Sequence, residues 1–196
     1  MKRSAKASRK TAETDITVSV ELLSTKPSVI SSGVPFFDHM LQALARHGRM
    51  HIDICCKGDT HIDDHHSVED IGIVLGDALK KALGEKRGIR RFGFGSVPMD
   101  DSLTQVSVDL SGRGYFHYNG ETLNGKIKNY DEELTHEFFY ALAHHAGINL
   151  HLNLIYGRNR HHIHESFFKS FATAFYKAVS FDKISIDDIP STKGMI

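Results

Sequence analysis

The sequence predicts an α+β fold built from two fused halves that share one order of elements. Strand-like alternation of apolar residues is interleaved with helix-like apolar periodicity, and this order occurs twice. A histidine-rich pentapeptide at 65–69 recurs at 161–165, 96 residues later, as an internal duplication would produce. No linker rich in Pro, Gly or Ser separates the halves. We therefore expect one domain over 1–196, made of two fused repeats at about 10–95 and 96–190.

The first half alternates strand and helix patterns. Apolar residues at every second position predict strands, and apolar residues three and four apart predict helices with one buried face. A glycine turn precedes the first helix, and Gly84 ends the second. The expected elements are a strand over 11–22, a helix over 36–45, a strand over 50–56 and a helix over 68–83.

The second half repeats this order. Gly147 precedes its inner strand as Gly48 precedes the inner strand of the first half. We expect each half to form a small, mainly antiparallel sheet with helices on one face, and the helices to pack together between the two sheets. The elements are a strand near 103–110, a helix near 132–145, a strand over 148–155 and a helix over 165–179.

Composition narrows the function classes. The 24 basic and 24 acidic residues cancel, so no net field favours nucleic acid, and the basic run at 2–10 is short. We find neither a secretion signal nor 18 uninterrupted apolar residues, so we expect a cytoplasmic protein that does not enter membranes. The adjacent Cys55 and Cys56 suit reduced, structural thiols. The unusual feature is the histidine content, 14 residues in clusters.

The duplicated His-His-x-x-Glu element predicts a metal site. The second histidine and the glutamate are three residues apart on one helical face, so we expect them to share one ion, with the first histidine binding another. Imidazole and carboxylate together suit Mn, Fe, Zn or Ni. A single His-His pair would more often be a solvated loop, but the repetition favours two metal sites or one dinuclear site. The residues concerned are His65, His66, Glu69, His161, His162 and Glu165.

The duplication also predicts further ligands on the helix that precedes each inner strand. His39 lies on this helix in the first half, and the alignment leaves either His136 or Glu137 opposite it in the second. We prefer Glu137 because it lies 24 residues before His161, close to the 26 that separate His39 from His65. His136 is otherwise an exposed helix residue. We expect His151 to be a core histidine or a residue that orients ligands.

Two short segments resemble phosphate sites. Ser111-Gly112-Arg113 follows a strand directly, and Ser191-Thr192-Lys193-Gly194 lies near the end of the sequence. Hydroxyls, glycine and a cation together suit an anion, although both segments are also ordinary turns. A cationic pair at 90–91 adds to them. Glu13 is a candidate general base or an exposed strand-end acid. Candidate acceptors for ligand imidazoles are Asp59, Asp63, Asp64 and Asp70, of which Asp63 and Asp64 could equally be solvated loop acids.

These motifs, in this order, resemble the imidazoleglycerol-phosphate dehydratase family of histidine biosynthesis. The resemblance covers nearly everything between residues 9 and 194. The motifs are RKTAETDI at 9–16, FFDHML at 36–41, GDTHIDDHHSVEDIGIVLG at 58–76, DLSGR at 109–113, LHLNLIYGRNRHHIHESFFK at 150–169 and STKG at 191–194.

The resemblance implies a duplicated α+β protomer, two Mn(II) ions per active site, and a homo-oligomer of 24 subunits built from trimers, with sites between subunits. The implied metal ligands are His39, His65, His66, Glu69, His161, His162 and Glu165. The eighth ligand stays open between Glu137, which we prefer, and His136. The implied substrate contacts are Glu13, Arg91, Arg113, Ser191, Thr192 and Lys193. The sequence departs from the family at three positions: some members have His at 137, Glu is frequent at 101, and Pro is frequent at 114.

The implied reaction is dehydration of imidazoleglycerol phosphate to imidazole acetol phosphate through a metal-bound imidazolate. Glu13 is expected to remove the proton, and Glu69 or Glu165 to assist departure of hydroxide. Two other functions fit the histidines. A dinuclear metal phosphohydrolase would use a similar site, and a non-catalytic metal-binding protein would need the histidines alone, without the anion segments or Glu13.

Overall fold

The computed structural model describes residues 3–184 and 187–196 of the chain. Its strands are β1 (Ser4–Lys10), β2 (Thr14–Leu22), β3 (Ile30–Ser31), β4 (Met50–Gly58), β5 (Phe92–Met99), β6 (Ser102–Asp109), β7 (Tyr115–Asn119), β8 (Lys126–Ile127), β9 (Tyr130–Asp131) and β10 (Asn149–Tyr156). Its helices are α1 (Pro35–His47), α2 (His65–Leu83), α3 (Glu133–Ala146) and α4 (Arg160–Val179). The α+β prediction is confirmed.

Two four-stranded sheets have equivalent topologies. The first has the order β1-β2-β4-β3 and the second the order β5-β6-β10-β7. In each sheet the first three strands are antiparallel and the last strand pairs parallel to its neighbour. The sheets are thus mainly antiparallel, as expected, with one parallel edge each. This agreement supports the internal duplication, while the exact repeat boundary stays a prediction.

The helices pack between the two sheets. Helix α2 lies on β1 and β2, α4 lies on β5 and β6, and the layers meet through contacts of α2 with α3 and of α1 with α4. Glycines permit the closest approach, since a Cβ atom at Gly95 would lie 2.1 Å from the main-chain oxygen of Ser170. Phenylalanines fill the space between the helices, with Phe138, Phe168 and Phe171 fully buried. Each such side chain contributes roughly 1.5–3 kcal/mol through its burial.

Both histidine pairs lie inside helices rather than in loops before them. Helix α4 begins at Arg160, five residues earlier than the predicted start at 165, and α2 begins at His65 instead of 68. Asn159 explains the early start of α4, because its extended backbone and its side chain, which accepts from the His162 N–H at 3.4 Å, form an N-cap. Each histidine pair is therefore held by the first turn of a helix.

Some strands were not predicted. The expected strand over 11–22 begins only at Thr14, because Thr11 Oγ1 accepts hydrogen bonds from the main-chain N–H groups of Glu13 and Thr14 and forms a turn. This turn separates β1 from β2 and places Glu13 outside both strands. The unpredicted strands are β1, β3, β5, β7, β8 and β9. Among the described residues, no helix has the length and apolar character needed to cross a membrane.

Candidate active site

His39, His161 and Glu165 form a cluster that could hold a metal ion. One ligand atom from each residue lies within 4.8 Å of the other two. Glu165 Oε2 lies 3.2 Å from His161 Nε2 and 3.6 Å from His39 Nε2. Helix α1 supplies His39, and the first two turns of α4 supply the others. Across 3–184 and 187–196, this is the one group of three or more such side chains that converges this closely.

Each glutamate lies nearest the first histidine of its element, not the second as the spacing suggested. His161 and Glu165 are four residues apart, and the equivalent pair in α2, His65 Nε2 and Glu69 Oε2, is 3.7 Å apart. The structure therefore does not support sharing of one ion by His162 and Glu165, which stays a prediction. An offset of four residues rotates a side chain by about 40°, less than the 60° of an offset of three, so the first histidine lies closer.

The second histidines are instead held by aspartates. His66 Nδ1 lies 3.1 Å from Asp59 Oδ2, and His162 Nδ1 lies 2.6 Å from Asp101 Oδ1. The predicted role of Asp59 as an acceptor is confirmed. Because a carboxylate only accepts, Nδ1 carries the hydrogen and Nε2 remains able to bind a metal ion. The pKa of His66 is raised, chiefly by its hydrogen bond to Asp59.

The sequence analysis missed Asp101 as a histidine partner and Lys169 as a glutamate partner. Lys169 Nζ lies 2.6 Å from Glu165 Oε1, and the offset of four residues on one helix could have indicated this pair. Burial raises the pKa of Glu165, but the bond to Lys169 and the nearby histidines outweigh it, so the net pKa is lowered. Glu165 is therefore an anionic ligand at neutral pH.

The remaining ligand candidates do not join the cluster within one chain. His65, His66 and Glu69 lie on α2 and stand outside the converging group. The same holds for Glu137, whose carboxylate lies 3.3 Å from Nδ1 of the neighbouring His136. Both α3 residues are partly exposed, and neither approaches the cluster closely enough to be counted with it.

Glu13 lies beside the first histidine element. Its Oε1 is 3.7 Å from His66 Nε2, and its main-chain oxygen accepts from the N–H of Asp59 at 3.1 Å. The side chain is about half exposed, so solvent or a substrate can reach it. A carboxylate next to a candidate metal ligand is well placed to accept a proton.

The anion segments meet on one side of the second sheet. Arg91 forms a double ion pair with Asp109, and its Nη1 donates to the main-chain oxygen of Pro190 at 2.8 Å. This bond holds the segment of Ser191, Thr192 and Lys193 beside Arg91. Gly112 adjoins the end of the same segment, since a Cβ atom there would lie 3.2 Å from the Ile196 carbonyl carbon. Arg113 and Lys193 are exposed.

His151 has different neighbours from those expected. It lies on β10 opposite His117 of β7, and its ring centroid is 5.5 Å from that of His117 and 5.6 Å from that of Tyr115. None of these rings belongs to a candidate ligand. A role in orienting metal ligands is therefore not supported.

His164 is buried between the cluster and α3. It is fully inaccessible, and burial lowers its pKa to about 4, so the imidazole is neutral near pH 7. Its ring is edge-on to that of Phe36, with the centroids 6.3 Å apart, and Phe36 also contacts His161. The sequence analysis gave this histidine no role.

Fold and site together define a class: an α+β protein with two equivalent halves, each with a helix that begins with a histidine pair and a glutamate. Comparisons with known proteins identify the family. The family model for imidazoleglycerol-phosphate dehydratase matches residues 32–175. The chain belongs to the imidazoleglycerol-phosphate dehydratase family, a family of hydro-lyases.

Relatives match the chain over its whole length. Imidazoleglycerol-phosphate dehydratase from Cereibacter sphaeroides strain KD131 is 54% identical over 194 residues, which cover 99% of this chain and 100% of the relative. The enzyme of Acetivibrio thermocellus is 50% identical over 196 residues, with 100% of both chains covered.

Solved structures share the fold. The Staphylococcus aureus N315 enzyme has a TM-score of 0.83 and 35% identity, covering 91% of this chain and 99% of that one. The IGPD of Pyrococcus furiosus in complex with (S)-C348 has a TM-score of 0.82 and 34% identity, covering 96% and 99%.

Proposed function

We propose that this chain dehydrates imidazoleglycerol phosphate to imidazole acetol phosphate in histidine biosynthesis, in a metal-dependent reaction. The observation that carries the proposal is the convergence of His39, His161 and Glu165 from two helices. Membership of the family over the full chain supports the same reaction. A storage or sensing protein would not need Glu13 beside the first histidine element.

The donor set fits Mn(II), with two ions proposed per active site. Neutral imidazole nitrogens and carboxylate oxygens suit this ion, and no soft thiolate lies among the candidates. One ion would take His39, His161 and Glu165, and residues of the His65 element would contribute to the second. When bound, the metals would stabilise negative charge on the substrate imidazole as Lewis acids.

The α2 histidine element of one subunit and the cluster of His39, His161 and Glu165 of another would together form one active site. The residues of the α2 element do not converge with the α4 cluster in one chain, and we propose that a second copy of the chain brings the two groups together. From the resemblance to the family, we propose that this assembly is a homo-oligomer of 24 subunits built from trimers. Its metal dependence is testable: chelation should reduce the mass measured by light scattering, and an unchanged mass would contradict assembly through metal ligands.

Side chains of the protein would carry out proton transfer and bind the phosphate. Glu13 would accept the proton from carbon, and the hydroxyl would leave as water with a proton donated by Glu69 in its carboxylic-acid form, while the anionic Glu165 would remain a metal ligand. The exposed Arg113 and Lys193 would bind the phosphate, together with Ser191 and Thr192. Arg91 would support them, because its guanidinium holds the main chain just before Ser191. This clamp fixes the distance from phosphate to reacting carbon.

We place this reaction in the cytoplasm. Cys55 and Cys56 are free thiols, and Cys55 is exposed, which suits a reducing compartment. The partner that the site fits is a small phosphorylated imidazole rather than nucleic acid, since the formal charge of the chain is zero.

Replacement of Glu13 by Gln tests the proposal. The change keeps the side-chain volume but removes the base, so turnover should fall about 100- to 10,000-fold while the metal content per chain stays the same. Asp15→Asn is the matched control, because Asp15 is an exposed acid nearby that pairs with Lys10 instead of His66. An unchanged rate in Glu13→Gln would remove Glu13 from this role.

A further inference from the structure

An ion pair between a buried carboxylate and a partly exposed arginine joins the start of α4 to the start of α3, and the same arginine also pairs with the exposed Glu121. Glu132 is fully buried, and its carboxylate accepts from Arg160 Nε at 2.6 Å, from Arg160 Nη2 at 2.5 Å and from the main-chain N–H of Gly125 at 3.0 Å. A buried carboxylate needs such partners, because its desolvation is otherwise very unfavourable. The pair therefore fixes the residue directly before His161.

A chain of hydroxyl groups and an imidazole leads to the same carboxylate. Tyr130 Oη lies 2.9 Å from Thr135 Oγ1, which lies 2.7 Å from His164 Nδ1. His164 Nε2 lies 3.9 Å from Glu132 Oε1 and makes no hydrogen bond within the described residues. Because a carboxylate attracts N–H, the tautomer with its hydrogen on Nε2 is favoured, so Thr135 donates to Nδ1 and Tyr130 donates to Thr135.

The ion pair of Glu132 with Arg160 and the hydrogen-bonded chain that ends at His164 both lead to the cluster of His39, His161 and Glu165. Arg160 precedes His161, and His164 precedes Glu165, so they flank the α4 ligands in sequence. Phe36 fills the space on the other side: its ring centroid is 5.3 Å from that of His161, and it lies three residues before His39. These contacts therefore connect α1 and α4, which supply the cluster, with the start of α3.

We infer that Glu132, Arg160 and His164 are positioning residues that fix the first turn of α4, so that His161 and Glu165 face His39 at the spacing one metal ion requires. Apolar residues of similar volume would avoid the desolvation of a buried carboxylate, so stability alone does not explain Glu132 here. The directed fork of Arg160 instead restrains rotation of the turn, which an apolar contact would allow. The inference rests on the metal-dependent function proposed above.

The test compares Mn(II) affinity with thermal stability. Glu132→Gln removes the charge at nearly constant volume, and His164→Asn keeps a polar group near Thr135 but shortens the reach toward Glu132. The affinity for Mn(II), measured from the free-ion electron paramagnetic resonance signal, should fall about 10- to 100-fold in each, as for groups that orient metal ligands. Arg160→Lys, which keeps the charge but not the fork, should lose less affinity than Arg160→Gln.

Thr104→Val is the matched control, because Thr104 lies on β6 and its hydroxyl contacts the same helix, α4. The buried Thr104 hydroxyl lies 2.8 Å from both Ser166 Oγ and Ser170 Oγ of α4 but does not contact the network. This variant should have a lower melting temperature and unchanged Mn(II) affinity. If the network variants behave like the control, with affinity losses below about tenfold, the positioning role is overturned.

Two further measurements separate this inference from the proposed function. Wild-type turnover is measured alongside: a protein that binds Mn(II) but does not dehydrate the substrate refutes the function and leaves the affinity comparison valid. A wild type that does not bind Mn(II) overturns both. If Glu132→Gln does not fold, His164→Asn and the Arg160 pair decide the result. Excess Mn(II) should restore part of the turnover lost in a folded variant, and an unrestored rate with normal affinity would contradict the inference.

Discussion

Glu165→Gln is the substitution that tests the candidate metal site most selectively. Glu165 supplies the one carboxylate of the cluster, 3.2 Å from His161 Nε2 and 3.6 Å from His39 Nε2. The amide has the same shape but no charge and is a poorer donor to a metal ion. Groups that only orient a ligand contribute about 10- to 100-fold to metal affinity, so loss of a ligand should cost at least about 100-fold, or roughly 2.7 kcal/mol.

The metal-free protein should respond differently. Lys169 loses its anionic partner, but its side chain is 18% exposed and an amide oxygen can still accept from it. The free energy of unfolding without metal should therefore fall by about 1 kcal/mol or less, since the desolvation of Glu165 is removed at the same time. Mn(II) should then raise the melting temperature of the wild type much more than that of the variant.

A titration of Mn(II) followed by electron paramagnetic resonance measures the affinity. Glu85→Gln is the control, because Glu85 is an exposed acid that pairs only with Arg87 among the ion pairs found. Wild-type affinity in Glu165→Gln would refute the assignment of the cluster as a metal site. An equal loss in the control would show that general surface charge, not ligation, determines binding.

Three further predictions concern other parts of the chain. Asp101→Asn should weaken Mn(II) binding about 10- to 100-fold, because the carboxylate that orients His162 is lost. Gly95→Ala should lower the free energy of unfolding by at least about 1–3 kcal/mol, because the added methyl group would overlap a main-chain oxygen of α4. Iodoacetamide at pH 8 should modify Cys55 but not Cys56, since Cys56 is buried and its burial raises the pKa of the thiol to about 11.

Each of these has a direct readout. Metal titration measures the affinity of Asp101→Asn, and chemical denaturation measures the stability of Gly95→Ala. Mass spectrometry before and after unfolding counts the alkylated cysteines. The reasoning would be contradicted by full metal affinity in Asp101→Asn, by wild-type stability in Gly95→Ala, or by two adducts on the folded protein. One adduct on the folded chain and two on the unfolded chain would agree with the buried thiol.

The sequence predicted those elements whose apolar pattern is long. Strand β2 alternates strictly, with Ile16, Val18 and Val20 buried, and α2 has one continuous apolar face. Strands such as β8 and β9 have two residues each, too few for periodicity to be recognised. Strand β5 contains two glycines and a proline, residues that are typical of loops. In the structure, Gly95 allows α4 to pack closely against the strand.

The sequence predicted which residues form the site better than it predicted which residues contact each other there. Recurrence identified both histidine elements, and the helical offset did not decide which histidine meets the glutamate. The contacts of His162 with Asp101 and of Arg160 with Glu132 join residues 61 and 28 positions apart, and no local pattern encodes such pairs. They depend on how β6 and α3 are placed against α4, which only the folded chain shows.

The most direct test of the central claim is incubation of Mn(II)-loaded protein with imidazoleglycerol phosphate, with a metal-stripped sample as the control. Imidazole acetol phosphate and inorganic phosphate are measured together over time. The proposed dehydratase should form the keto product only with metal and release no phosphate. Release of inorganic phosphate would favour a phosphohydrolase, and tight metal binding without either product would contradict an enzymatic function.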